Sequence, residues 1–355
     1  MQQEQPKVEA PKPEPPKPNA RRTPPAILFD SDMGQNIDAA LALAVLYNLG
    51  AKGKLSAVGV SRMSLEAAAF CDIMSRFYSG AGDLSSPQFQ APAPVGLPET
   101  GPAAPPTAML TGLLGMKKPD GKPLFTHGVQ ETLDTADARV LYRNTLLTQN
   151  DLEGIVVLAG PATNLVRTLD MSGAKSVVTA KVGLLVVAAG AYPEGAPDPR
   201  IRADIESAKR LFATWPSPIV AVGIEAGEAA AYSGSRVDTD FAWSQAHPVA
   251  EAYRAFGKSP YDAPAQAALA AYYAGNPQES FFKLSEPGRI EVLDDGRTRF
   301  VPSATGKHRY LIVDATQKAK VVEAYAALAS MKPAVPAPRG RPPQAAPAAV
   351  KPLAP

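Results

Sequence analysis

Cysteine occurs once in this chain, at Cys71, while tryptophan occurs twice and histidine three times. A single thiol excludes an intramolecular disulfide and any cysteine-built metal cluster; inside the apolar pattern EAAAFCDIM it reads as a core residue. Long apolar runs are also missing. No stretch approaches the roughly 20 residues of a membrane-spanning helix, and the region after Met1 lacks the apolar segment of a signal peptide. The sequence as it stands therefore reads as soluble, cytoplasmic by default, and periplasmic or secreted if the true start lies upstream. Neither sign of charge dominates: 36 Lys and Arg against 34 Asp and Glu leave +2. With no long basic run in the central part, a dedicated nucleic-acid surface is not expected. G-x-G-x-x-G, a full G-x-x-x-x-G-K-[ST] phosphate loop and a G-x-S-x-G elbow are absent too, which removes the usual dinucleotide, nucleotide-phosphate and serine-hydrolase readings.

Proline is abundant and unevenly placed. Residues 1–25, MQQEQPKVEAPKPEPPKPNARRTPP, alternate it with Lys and Glu and offer little to bury, and the tail 332–355 reads the same way. Both ends are expected to be disordered. Residues 26–331 remain as one folded domain, long enough for a sizeable core.

Within it, short apolar runs alternate with helical patterns. Candidate strands are AILFD (26–30), LSAVGVS (55–61), GIVVLA (154–159), KVGLLVVAAG (181–190) and PIVAVGI (218–224). Helical spacing covers 38–48, 64–78, 135–148, 162–170 and 204–214. Continuous apolar strands separated by helices predict an α/β fold with a mostly parallel sheet flanked by helices. The stretch 82–128, rich in Pro, Gly and Ser, reads as a long loop with one short strand near APVGL. Downstream, RIEVLDDGRTRFVP predicts a hairpin at 289–301, HRYLIVD a strand and TQKAKVVEAYAALASM a last helix.

In open sheets of this kind ligands sit at the carboxyl ends of the strands, and there lie Asp30 and Asp32, Gly160 and Pro161, and Gly190 to Tyr192. Asp30, Asp32 and Asp38 fall within nine residues, in DSDMGQNID. Such a cluster repels itself unless protons or a cation intervene, and an Asp-x-Asp at a strand end suits a hard cation such as Ca²⁺. On that stretch alone a second reading stands beside it, in which Asp38 merely favours the start of the helix that follows.

The segments DSDMGQNIDAALAL, VVLAGPATNLVRTL, VVAAGAYPEG with RADIESAKRLF, and YDAPAQAALAAYY occur in the order and at roughly the spacing of the inosine-uridine-type nucleoside hydrolases. The resemblance runs over about residues 26–330. Its first block is similar to the D-T-D-M-G-N-D-V-D-D-A-L-A-L form of a bacterial branch. It implies a nucleoside-hydrolase-like fold and hydrolysis of the N-glycosidic bond of small-molecule ribonucleosides at a Ca²⁺ site. The family often forms dimers or tetramers, so a homo-oligomer is also implied. Carried over by position, Asp32 would bind Ca²⁺ and act as general base, Asp38 would hold the ribose hydroxyls, and Asp30 would be the first acid of the motif and a further metal candidate. Ala159 would offer its backbone carbonyl to the metal and Asp262 would be the distant metal-binding acid. Read from the residues alone, Asp262 is a helix cap.

The match is imperfect. Ala39 stands where the family has a second adjacent, calcium-binding Asp, and a methyl group coordinates nothing. Asp198 falls at a substrate-binding Glu, Arg200 at a substrate-binding Asn, Tyr192 at an Asn that touches the sugar, and Tyr261 where purine-accepting members carry a His. Losing an acid at 39 and gaining a cation at 200 would weaken a Ca²⁺ site or suit an anionic ligand; Arg200 turned outward on a loop is the alternative. A catalytically impaired member that binds a ribosyl or anionic ligand is therefore carried as a second function. Of the histidines, His247 and His308 read as structural and His127 as a loop residue within reach of the pocket mouth; Trp215 reads as packing between a helix end and a strand.

Overall fold

The computed structural model describes residues 24–79, 92–101 and 103–333. The Pro-rich leader and tail lie outside the described residues, apart from their innermost two positions at each side. Eleven strands are present among the described residues: β1 (Ala26–Ser31), β2 (Lys54–Val60), β3 (Val95–Leu97), β4 (Ala136–Asp137), β5 (Gly154–Ala159), β6 (Val182–Val187), β7 (Ile219–Ala221), β8 (Phe282–Leu284), β9 (Gly288–Val292), β10 (Thr298–Pro302) and β11 (His308–Val313). They form one sheet in the order β10-β9-β11-β7-β6-β5-β1-β2-β3-β4, with β8 pairing β11 at the side.

From β11 to β4 every neighbouring pair is parallel; the β9–β10 hairpin and β8 add the antiparallel edge. The apolar runs of β1, β5 and β6 are central because both their faces are covered. All six residues of β1 are buried, as a strand sandwiched by helices requires. The chain builds β1 to β4 outward on one side, then returns to place β5, β6 and β7 on the other side of β1. The order therefore reverses between β1 and β5, and their carboxyl ends open a crevice where ligands bind in doubly wound sheets.

Two helices close that crevice on one face. Asp38–Tyr47 and Gln266–Gly275 are buried over nearly their whole length. Their alanine-rich sequences have no polar face, and a helix that is apolar all round belongs in a core. They pack against each other, which brings their first residues, Asp38 and Gln266, together at the crevice. Ala39, beside Asp38 at the start of the first of these helices, is fully buried and belongs to the larger apolar cluster.

Most expected elements appear within one or two residues of the bounds read from sequence, and the hairpin pairs Thr298 with Val292 through Pro302 with Gly288. Besides the short helices Pro199–Arg202, Ile224–Ala229 and Val237–Asp240, three longer helices were not anticipated. Ala108–Leu114 interrupts the expected loop, while Ala174–Lys181 and Pro248–Phe256 complete the outer layers. The first lies in a Pro- and Gly-rich setting and holds itself by packing Met109, Leu110 and Leu113 into the core, so tertiary burial overrides weak local propensity.

Candidate active site

Asp32 lies one residue beyond β1, at the start of a tight turn in which the Gln35 N–H donates to the Asp32 carbonyl (3.0 Å). Gly34 completes the turn at φ +94°, a left-handed conformation that glycine enters without a steric penalty. Across the crevice, Gly160 follows β5 so closely that a side chain there would meet the Asp32 amide nitrogen at 2.5 Å and Ser61 Oγ at 2.3 Å. The Gly-Pro turn after β5 is thus a close backbone approach that fixes where Asp32 sits.

Arg200 enters from the other side. Asp198 caps the short helix Pro199–Arg202: its carboxylate accepts from the Arg200 and Ile201 amides (2.7 and 3.3 Å) and from Gly190 N–H (2.9 Å) after β6. So anchored, the Arg200 side chain runs inward and is 5 % exposed. Its guanidinium donates through Nη2 to Asp38 Oδ1 (2.9 Å), and through Nη1 to the Ala188 carbonyl (3.1 Å) and to Gln266 Oε1. Nε lies 3.9 Å from Asp32 Oδ1. That Nε and that Oδ1 are both buried without a protein hydrogen-bond partner. The other Asp38 oxygen accepts the Ala267 N–H (2.8 Å), so Asp38 caps the neighbouring helix while it pairs with Arg200. Gln266 is fixed in turn by donating Nε2 to the Val222 carbonyl (2.9 Å) beyond β7.

Charge follows geometry. Burial pushes the Asp32 carboxyl up to about 7; Arg200 and Arg62 oppose the rise, and Asp38 and Asp198 add to it. Burial disfavours the Arg200 cation, but Asp38, Asp32 and Asp198 together outweigh it and hold the guanidinium above its ordinary range. Arg200 and Asp38 form a neutral pair, beside which Asp32 is poised near neutrality.

Above Asp38, Arg200 and Gln266 opens a cavity of about 240 Å³ lined also by Asn36, Ile224, Phe256, Tyr261 and Asp262, among others; Asp32 lies behind Arg200, outside that lining. A larger hollow, about 550 Å³, lies by the amino-terminal end of β2 around Lys54 and Tyr47, away from the strand ends where the carboxylates converge.

The residues singled out from sequence divide accordingly. Asp32, Asp38, Asp198 and Arg200 converge; Arg200 points inward, not outward. Asp262 lies at the cavity mouth, is exposed, and accepts the Gly234 N–H (3.2 Å). The side chain that reaches the floor from this segment is Gln266, one helical turn later. Asp30 is buried away from the cavity lining, and its oxygens are taken by Ser61, Tyr142 and Asn164. Burial raises its pKa against those three bonds, and its work is to tie β1 to its neighbours. Ala159 ends β5 beside Ser31. Tyr192 is a correction: its ring stacks on Tyr310 (5.4 Å, 14°) and its hydroxyl donates to Ala189 O (3.1 Å), in the second apolar cluster. Tyr261 does line the cavity, stacked on Tyr253 (4.4 Å).

His247 and His308 are structural, as expected. Each accepts a backbone N–H through Nδ1, from Val249 (3.2 Å) and Ile290 (3.0 Å) respectively. Trp215 is buried and donates to Ser217 Oγ (2.7 Å). His127 is half-buried and is not among the cavity-lining residues. Sequence reasoning missed Gln266, Asn36, Ile224 and Phe256. The signal for Gln266 was a lone amide inside the otherwise apolar run APAQAALAAYY, a polar group that burial obliges to find a partner.

The donor set does not fit Ca²⁺. The side-chain oxygens of Asp38 and Gln266 and the carbonyl of Ala188 already surround a cation, the guanidinium. A divalent ion about 4 Å from it would face repulsion on the order of 8 kcal/mol at an effective dielectric of about 20. Among the described residues no cluster of three or more His, Cys, Asp or Glu side chains is arranged to hold a metal. Nor is any described helix long and apolar enough to cross a membrane.

No family model and no curated protein matches the sequence. Solved structures do match the fold. A plant nucleoside hydrolase, PpNRh1, superposes with a TM-score of 0.65 at 18% identity, over 86% of this chain and 99% of that one. The inosine-uridine preferring nucleoside hydrolase from Bacillus anthracis gives 0.60 at 15% identity, over 85% and 99%. The effector protein XOO4466 gives 0.56 at 15%, over 87% and 94%.

Proposed function

We propose that this chain, which has the fold of the nucleoside hydrolases, hydrolyses the N-glycosidic bond of ribonucleosides at the cavity above Asp32, Asp38 and Arg200. The observation that carries this reading is the pair of unpartnered buried atoms, Asp32 Oδ1 and Arg200 Nε, 3.9 Å apart at the strand-order switch point. A small side-chain shift that opens the pair to the cavity lets both engage the same small polar group, and a water admitted there would lie against a carboxylate able to take its proton.

In this mechanism Asp32 accepts a proton from water as the water oxygen bonds to the anomeric carbon, the C–N bonding pair departs with the base through a cation-like sugar, and the base takes up a proton from solvent at the cavity mouth while Asp32 returns its own to solvent. A base whose pKa lies near the working pH suits that transfer. Because Arg200 and Asp38 neutralise each other, ionised Asp32 leaves the floor with net negative charge, which favours a developing sugar cation. Ile224, Phe256 and Tyr261 form an apolar wall suited to the flat face of a nucleobase.

A second reading has its own observation. Both Asp38 oxygens are engaged, by Arg200 and by the Ala267 amide, so gripping a ribose diol would require one bond to open. A protein that binds a ribosyl compound without turnover fits that arrangement. Incubation of the full chain with a panel of purine and pyrimidine ribonucleosides, with chromatography for free base and calorimetry for binding, separates the two. Base release that disappears in Asp32→Asn supports hydrolysis, saturable binding without release supports the second reading, and neither signal overturns both.

A further inference from the structure

We propose that the Arg200 guanidinium is the resident cation of this site, a covalently attached substitute for a divalent metal, so that the cavity is closed to Ca²⁺ whether or not a bound ribosyl compound turns over. Three positions carry the inference together. Residue 39 is an alanine committed to the apolar core and so offers no oxygen. Residue 266 is an amide, whose oxygen bonds the guanidinium while its nitrogen donates to Val222 O. Arg200 lies between Gln266 and Asp38, with its terminal nitrogens on one carboxylate, one amide oxygen and one backbone carbonyl. A hard cation would draw its ligands from such oxygens, and here three N–H bonds from the two terminal nitrogens of the guanidinium use them instead.

The substitutions are coherent in charge. A permanent cation needs fewer negative ligands than a divalent ion, and beside Arg200 stands a neutral amide, Gln266, while position 39 carries no charge. Asp198, through its two bonds to the backbone of the Arg200 helix, positions the side chain rather than touching the cavity floor.

Calcium itself is the probe. Titration calorimetry and thermal unfolding of the full chain, with added Ca²⁺ or with chelator, are expected to show no saturable heat and no shift in Tm. The triple variant A39D/R200N/Q266D should acquire saturable Ca²⁺ binding. Its Tm should rise by roughly 5 °C or more when the ion is about 100 times above its Kd. The double variant A39D/Q266D, with Arg200 retained, should stay inert. Stoichiometric Ca²⁺ on the wild-type chain, or Ca²⁺ binding by the double variant, would overturn the proposal, as would a folded triple variant that binds none. If the triple variant does not fold, the wild-type and double-variant titrations decide alone.

Discussion

Replacing Asp32 by Asn should move activity and stability in opposite directions, and the stability change should depend on pH with a defined sign. Asp32 is buried and its carboxyl is raised to about 7 from an ordinary 3.8, with burial the main cause. Between those values the folded protein holds a proton that the unfolded chain has released. Wild-type stability therefore falls as pH rises from about 4 to about 7 and is flat above. The groups facing Asp32 enter that balance: Arg200 and Arg62 temper the rise, Asp38 and Asp198 enlarge it. About three pH units at ~1.4 kcal/mol each set an upper figure of about 4 kcal/mol, of which about 2.5 kcal/mol falls between pH 5 and pH 8. Asparagine carries no such titration. In urea unfolding, the stability of Asp32→Asn relative to wild type should thus increase by about 2.5 kcal/mol between pH 5 and pH 8, while nucleoside cleavage drops by about 10²- to 10⁴-fold. A difference that stays level or shrinks with pH would refute the account of a carboxylate held against its ionisation, and undiminished cleavage would refute its role as base.

Arg200→Met removes the counter-charge from Asp38 and should cost about 3–5 kcal/mol, read from the urea midpoint, because it leaves a buried carboxylate unpaired. Tyr142→Phe deletes one of the three bonds to Asp30; a loss of roughly 1.5–3 kcal/mol is expected in the same assay. His247 is kept neutral by burial, its pKa lowered to about 3, and His308 likewise to about 4. The unfolded chain protonates both near 6.5, so the stability they support is full above that pH and lost as pH falls toward 4, by up to ~1.4 kcal/mol per pH unit for each. That slope is opposite to the one from Asp32, so it is best measured in the Asp32→Asn background, where His308→Asn should flatten it.

The sheet was legible because its central strands are long apolar runs with no alternation, and a strand covered on both faces leaves no other trace. The carboxylates at the end of β1 were legible for a related reason: charge that close to a buried strand needs an explanation. Arg200 was flagged, but its direction was not, since an arginine on a loop reads the same in sequence whether it faces water or three acids. Asp262 drew attention as an acid, whereas the residue that reaches the floor is the amide Gln266, which carries no charge to announce it. Tyr192 was misread because its burial depends on Tyr310, more than a hundred residues away, a contact that no local pattern encodes.

The bond from Asp38 to the Ala267 amide joins groups 229 residues apart. During synthesis, the helix after β1 emerges early yet lacks its main packing partner, Gln266–Gly275, until about three-quarters of the chain has been made. Loop closure over that span is slow, so the cavity floor should be among the last parts to mature, and chains ending before residue 267 should expose the alanine-rich face of that helix to chaperones and aggregation.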